Sequence, residues 1–432
     1  MSRTLGQWLA LQEAAHPKTI DLDLARVGAV ARRLGLERPQ AAVITVGGTN
    51  GKGSTVAHLE ALLLAAGRTV GLFTSPHFVR YNERIRVDGV EVDDPALIEA
   101  FERIEAARAG TTLTFFEYNT LAALAIFARR GVEFALLEVG LGGRLDATNL
   151  IDADVAVLCS VGLDHHEYLG ETVEEIGAEK AGIFRRGRAA VLGTAAMPAS
   201  VYSAIERIGA MAVVAERDFS WRIEPGGRWS YRGRGVTLAD LPPSALTGGV
   251  QYRNAATALA ALEALGDAGA PASGRGRVDL DERTVAAALA RVRLPGRFQV
   301  VPGPVEWILD IAHNAPAAEV LAGELRARPC AGRTLAVAGI LADKDAAGIA
   351  SRLSPVIDGW VLCTLDGPRG RTAAELAERL GSLVANPALA SSVAGGCAAA
   401  RAMAQPGDRV VVFGSFHTVG PALEWLGVYS SR

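Results

Sequence analysis

Val46-Gly47-Gly48-Thr49-Asn50-Gly51-Lys52-Gly53-Ser54-Thr55 is the stretch whose reading decides the fold. A short apolar run, Ala41–Val46, precedes it, and helix-forming sequence continues from Lys52 to about Ala66. A strand that ends in glycines and turns into a helix N-terminus makes an anion site, because unpaired backbone N–H groups and the helix dipole face the ligand. Lys52 is placed for the β- and γ-phosphates of a nucleotide, and Ser54 or Thr55 offers a hydroxyl at the helix start. Thr49, Asn50, Gly51, Lys52, Gly53 and Ser54 therefore form the candidate nucleotide-binding set, with ATP as the expected cofactor. The strict GxxxxGK[ST] pattern is not met. Val46 stands where the first glycine belongs, and Gly53 separates Lys52 from Ser54.

Outward from the loop, the pattern is strand, loop, helix, repeated. Thr69–Phe73, Phe134–Val139 and Val155–Cys159 read as further strands. Continuous apolar strands alternating with helices predict a mostly parallel sheet covered on both faces, with ligands beyond the C-terminal strand ends. Residues 217–248 alternate aromatics, arginines and glycines and read as antiparallel hairpins; 266–280 reads as a surface excursion. A second strand–helix series begins near Phe298, with strands at Trp307–Asp310, Thr334–Ala338, Trp360–Cys363 and Arg409–Phe413. Leu294-Pro295-Gly296 interrupts both helix and strand and is the linker candidate. The expected fold class is α/β: a P-loop-type domain over 1–294 and a smaller Rossmann-like α/β domain over 295–432. No internal repeat appears.

The totals agree with a multidomain enzyme. The chain has 432 residues, half of them hydrophobic, and a net charge of −3. That charge disfavours a nucleic-acid protein working by bulk electrostatics. The four cysteines are far apart, with no CxxC pair, as expected of thiols in a reducing cytoplasm. No signal-like N-terminus and no apolar run of about 18 residues is found, so no transmembrane helix is expected.

Mg²⁺ accompanies ATP and takes oxygen ligands. Glu138 ends a strand on the ligand side, Ser75 follows another, and Asp164-His165-His166-Glu167 follows a third. Lys180, within a helix-like Glu174–Phe184, lacks a carboxylate at i−4 or i−3 and on that reading is a solvated lysine.

Several segments are carried in a joint order: Lys18-Thr19-Ile20-Asp21-Leu22, the phosphate loop, Thr74-Ser75-Pro76-His77, Tyr81-Asn82-Glu83-Arg84-Ile85, Thr114-Phe115-Phe116-Glu117-Tyr118, Glu138 to Asn149, Leu163-Asp164-His165 and Glu179-Lys180-Ala181-Gly182-Ile183. Beyond the linker come Pro295-Gly296-Arg297-Phe298, Asp310-Ile311-Ala312-His313-Asn314, Asp343-Lys344-Asp345 and Gly414-Ser415-Phe416-His417-Thr418. Together they resemble the folylpolyglutamate synthases, most of all the bifunctional bacterial type that is also a dihydrofolate synthase. The extra glycine of the loop is the form seen there and in the muramyl amino-acid ligases.

The resemblance implies a ligand set. Ser75, Glu138 and His165 match Mg²⁺ ligands, and Lys180 matches a lysine carried as a carbamate that holds a second Mg²⁺. Asn254, Arg297 and Asp310 match nucleotide contacts. Thr19, Ile20, Asp21 and Leu22, Thr114, Phe115, Phe116 and Glu117, and Leu145, Asp146 and Ala147 match the dihydropteroate site; Ala147 is of the bifunctional type. His313, Ser415 and His417 fall on the glutamate side. Asn119 stands where a glycine is expected, and Ala315 interrupts an expected Asn-Pro.

The implied reaction is ATP-dependent ligation of L-glutamate to dihydropteroate and to reduced folates through an acyl phosphate. Lys52, Lys180, Asp310 and His313 are the candidate catalytic residues, and His313, Asp310 or a water would take the proton from glutamate's amine. A monomer with no nucleic-acid or membrane partner is expected. The alternatives are a polyglutamylation-only synthase, a muramyl-type ligase, a nucleotide switch and a folate-binding module. The muramyl type would need a sugar-nucleotide domain ahead of a loop that here begins at residue 47.

Overall fold

The structure is a computed structural model that describes residues 3–18, 20–267 and 278–429. Thr19 and most of the 266–280 excursion therefore lie outside the described residues. Eight strands form the first sheet: β1 (Ala42–Gly47), β2 (Val70–Phe73), β3 (Ile85–Val87), β4 (Val90–Glu91), β5 (Phe134–Glu138), β6 (Val155–Leu158), β7 (Ala189–Leu192) and β8 (Met211–Val214). Their order is β4-β3-β2-β5-β1-β6-β7-β8, and the six from β2 to β8 run parallel. β1 is buried along its whole length, as its unbroken apolar sequence predicts.

Alternation sets the two faces. Val43, Ala135, Leu137, Ala156 and Leu158 pack on one side with the helices Leu24–Leu34, Asp94–Arg108 and Phe115–Arg130. Ile44, Val46, Leu136 and Val157 pack on the other with Lys52–Ala65, Val250–Asp267 and Glu282–Arg291. On that second side, β9 (Ser220–Ile223), β10 (Trp229–Arg232) and β11 (Thr237–Leu241) form the antiparallel sheet expected of 217–248.

The second sheet holds β12 (Gln299–Val301), β13 (Glu306–Leu309), β14 (Thr334–Ala338), β15 (Gly359–Cys363), β16 (Ala388–Ala390) and β17 (Arg409–Phe413), in the order β12-β13-β17-β14-β15-β16. Only β12 is antiparallel to its neighbour. The turn at Pro295-Gly296, with Gly296 at φ +63°, feeds β12. Among the described residues no helix is long and apolar enough to cross a membrane.

β1 is flanked by β5 and β6, neither adjacent to it in the chain. The strand order thus reverses around β1, and the phosphate loop leaves its C-terminal end at that switch point, where open α/β sheets bind ligands.

Candidate active site

The loop's glycines are required by its geometry. Gly51 has φ +92° and begins the Lys52–Ala65 helix, while Gly48 has φ +141°. A Cβ at Gly48 would lie 3.2 Å from the backbone nitrogens of Cys159 and Ser160. The extra glycine has a reason of its own: a Cβ at Gly53 would lie 3.2 Å from an Arg297 Nη. Lys52 Nζ folds back onto the Gly48 carbonyl at 2.9 Å.

Glu138 leaves β5 next to the loop and is 5% exposed. Its carboxylate accepts one long hydrogen bond, from Ser75 N–H at 3.4 Å, and forms no ion pair among the described residues. Burial raises its pKa, with Lys52 and Arg297 opposing. A buried carboxylate so poorly satisfied, with a hydroxyl beside it, fits a hard cation. Burial also lowers His165 to about 4, against the pull of Asp164, so its ring is neutral at pH 7 and able to ligate. Among the described residues no cluster of three or more His, Cys, Asp or Glu is arranged to hold a metal. Mg²⁺ sites need no such cluster, because substrate phosphates and water complete them.

Lys180 is not a solvated lysine. It ends the Val173–Lys180 helix, which stops short of the expected Phe184, and it is only 5% exposed. Gly143 makes this burial possible, since a Cβ there would meet the Lys180 carbonyl at 2.7 Å. Nζ has no hydrogen bond or ion pair among the described residues. Burial, then the charge of Lys52, lowers its pKa to about 7.

At one end of the cavity, Arg26 holds Asp21 at 2.8 Å and Glu117 at 3.3 Å, tying Ile20–Asp23 to the start of the Phe115–Arg130 helix. Thr114 and Glu117 cap that helix reciprocally, at 3.2 and 2.7 Å. Asp146 accepts from Gly140, Leu141 and Thr148 backbone N–H groups and from the Thr148 hydroxyl, so both its oxygens shape the Gly140–Thr148 turn. Asn119 is fully buried and bonds Tyr81 Oη.

At the other end, Asp310 accepts from Phe298 and Ala312 N–H, each at 2.8 Å. His313 Nδ1 lies 2.8 Å from the Ile311 carbonyl, which fixes its proton there and leaves Nε2, 3.6 Å from Asp164. Ser415 Oγ caps the Phe416–Trp425 helix through His417 N–H. Asp164 also accepts from Lys344 Nζ at 2.6 Å and Asn314 at 3.0 Å. Burial works against its charge, but His313, His165 and Lys344 hold its carboxyl well below the usual range.

Every proposed site residue except Thr19, which is not described, lines one cavity of about 720 Å³. Arg84, Asp164 and Lys344 also line it and were not singled out as ligands from sequence. Their segments belong to the ordered set of motifs, but the partners that give them meaning are remote in the chain.

Comparison with known proteins gives the family. The Mur ligase middle domain profile matches residues 46–197, and that of the Mur ligase glutamate ligase domain matches 296–416. The dihydrofolate synthase/folylpolyglutamate synthase of Escherichia coli K12 is 45% identical over 421 residues, 97% of this chain and 95% of that one. E. coli FolC solved in complex with DHPP and ADP has a TM-score of 0.91 at 44% identity, covering 99% of this chain and 98% of that one. A bifunctional folylpolyglutamate synthase/dihydrofolate synthase with Mn, AMPPNP and L-glutamate bound has a TM-score of 0.88 at 40% identity, covering 99% and 98%. The chain belongs to the dihydrofolate synthase/folylpolyglutamate synthase family of Mur-type, ATP-dependent ligases.

Proposed function

We propose that this enzyme ligates L-glutamate to dihydropteroate, giving dihydrofolate, and to the γ-carboxylate of reduced folates. The observation that carries the reading is the continuity of one cavity from the phosphate loop to the Ile20–Leu22, Phe115–Phe116 and Ala147 segments and to His313, Ser415 and His417. We take 1–294 as the ATP-binding domain with the pterin site and 295–432 as the glutamate-ligase domain, with ATP between them. Four unpaired cysteines suit the cytoplasm, and a cavity completed within one chain suits a monomer.

The acceptor's carboxylate displaces ADP from the γ-phosphate of ATP, giving an acyl phosphate. The amine of glutamate then displaces phosphate and forms the amide. Lys52, with its loop amides, neutralises charge on the transferring group mainly by position. Asn254, Arg297 and Asp310 orient the nucleotide. Mg²⁺ held by Ser75, Glu138 and His165, and a second ion held by N-carboxylated Lys180, would supply further neutralisation of phosphate oxygens. Carboxylation needs a neutral amine: Nζ bonds to the carbon of CO₂ and one proton leaves. The buried, unpartnered Nζ, lowered to about 7, supports that. Of the candidate bases, His313 Nε2 is best placed, since backbone N–H groups occupy both Asp310 oxygens.

ADP release is measured with dihydropteroate, tetrahydrofolate or buffer alone, each with and without L-glutamate. Glutamate-dependent release with both pterins is expected. Release with tetrahydrofolate alone selects the polyglutamylation-only alternative, and no glutamate dependence with either overturns the reading. ¹⁸O in the acceptor carboxylate should appear in released phosphate.

A further inference from the structure

Ser75 reaches the cavity on a loop that belongs to the first sheet by chain order and to the second by packing. The loop leaves β2 and returns as β3, and its neck is closed by the Thr74 N–H on the Arg84 carbonyl at 2.9 Å. Inside, it is organised on one carboxylate. Glu83 accepts from Phe78, Val79 and Arg80 N–H at 2.7, 2.7 and 2.6 Å. These bonds fix the loop's own shape but not where it sits.

Its seat is on the other domain. Among the described residues ahead of the linker, only Phe78 packs on the hydrophobic cluster of Trp307, Leu309, Val410 and Val412. Its ring lies 4.7 Å from that of Phe416, which the Arg297 guanidinium approaches at 5.5 Å. Two glycines make room for it. A Cβ at Gly296 would lie 2.9 Å from the Phe78 ring, and one at Gly420 would lie 2.7 Å from the Phe78 carbonyl. Gly420 stands inside the Phe416–Trp425 helix, where glycine is a poor helix former, and the approach of the loop's backbone accounts for it. Tyr429, just past that helix, donates its hydroxyl to Glu83 at 2.7 Å across 346 positions of chain. Burial, then Glu83, pushes the Tyr429 pKa up, so the phenol keeps the proton it donates.

We propose that Phe78 and Tyr429 are positioning residues, a clasp by which the second domain holds the Ser75–Arg84 loop against the cavity. Neither lines the cavity, so each acts through the loop. Ser75, whose N–H meets the buried Glu138 carboxylate, is therefore in place only while the second domain is seated. Nucleotide binding and domain seating are linked through this loop, and each strengthens the other.

The test follows hydrogen exchange of the full chain by mass spectrometry, with steady-state kinetics on the same samples. Wild type is compared with Y429F, F78A, F78L and F78A/Y429F. Y202F is the control for a tyrosine hydroxyl lost elsewhere, since that group bonds the Ala195 carbonyl. Y429F should speed exchange of the 76–84 segment by roughly tenfold, the worth of a hydrogen bond to a charged group. F78A should do at least as much, while peptides from β1 and β5 keep their rates. F78L keeps an apolar group in the socket and should lie close to wild type. The kcat/KM for ATP should fall in the order in which loop exchange rises, by roughly tenfold or more in the double variant. Y202F should match wild type in both readouts.

Unchanged exchange of 76–84 in Y429F and F78A, or a rise shared equally by every peptide, would overturn the clasp. So would faster loop exchange in the double variant with kcat/KM for ATP at the wild-type value. Should the variants carrying F78A fail to fold, Y429F and F78L decide by the same criteria. The exchange result does not depend on which acceptor is glutamylated, so its failure is distinct from a failure of the ligase reading.

Discussion

Lys180 carries the largest change of meaning at the residue scale. Sequence spacing left it without a partner, and that was true, but solvation was the wrong conclusion from it. The missing contact was burial by the Gly142–Gly143 turn, which spacing along a helix cannot register. Truncating it to alanine should remove most turnover, on the order of a hundredfold or more for a lost transition-state charge. Acetate should restore part of it, because a small carboxylate can enter the vacated space. Unchanged turnover, or no recovery with acetate while the fold is intact by circular dichroism, would exclude a carboxylated lysine. Gly53 shows the opposite case. Its place in the loop was legible, yet its cause, the approach of Arg297 to 3.2 Å, comes from the far side of the linker.

Elements were legible where their signals are local. Of the first sheet's parallel strands, β1, β2, β5 and β6 were read within a residue at either end, since an apolar run closed by a glycine turn needs no distant information, whereas β7 and β8 were not read. β12 and β16 were missed. Each is three residues long and gains its identity only by pairing at a sheet edge. The Phe115–Arg130 helix illustrates how an element serves the site. Its capping box sets Thr114 and Glu117 so that Phe115 and Phe116 face the cavity, and Glu117 also receives Arg26. Replacing Thr114 with alanine should lower stability by about 1 kcal/mol, the usual worth of an N-cap. It should also raise the KM for the pterin substrate while leaving that for ATP unchanged. A melting curve and two saturation curves check both parts, and equal changes in both KM values would mean that the cap acts on the whole cavity.

Across the whole molecule, the two sheets meet at Asp164. Its partners Asn314 and Lys344 lie 150 and 180 residues away, and Asn50 of the phosphate loop pairs with the same Asn314. The order of motifs could reveal that both halves contribute to one site, but not that a single carboxylate joins them. Lys344 and Asp164 are each buried, with side chains 7% and 9% exposed. Replacing Asp164 with asparagine leaves the buried ammonium with only the longer 3.9 Å contact to half-buried Asp343 and should cost up to roughly 3–5 kcal/mol. A second change, Lys344 to methionine, should recover much of that, because no charge then remains to be desolvated. The pH dependence has a definite sign. Asp164 is held below its unfolded value of about 4, so its contribution is present above that pH and is lost as pH falls through and below it. Denaturant unfolding from pH 6 to pH 3 should therefore fall more steeply for wild type than for D164N. Parallel curves would mean that the folded and unfolded proteins hold this proton alike, and that the junction between the sheets rests on Asn50–Asn314 and the Phe78 contacts rather than on the buried pair.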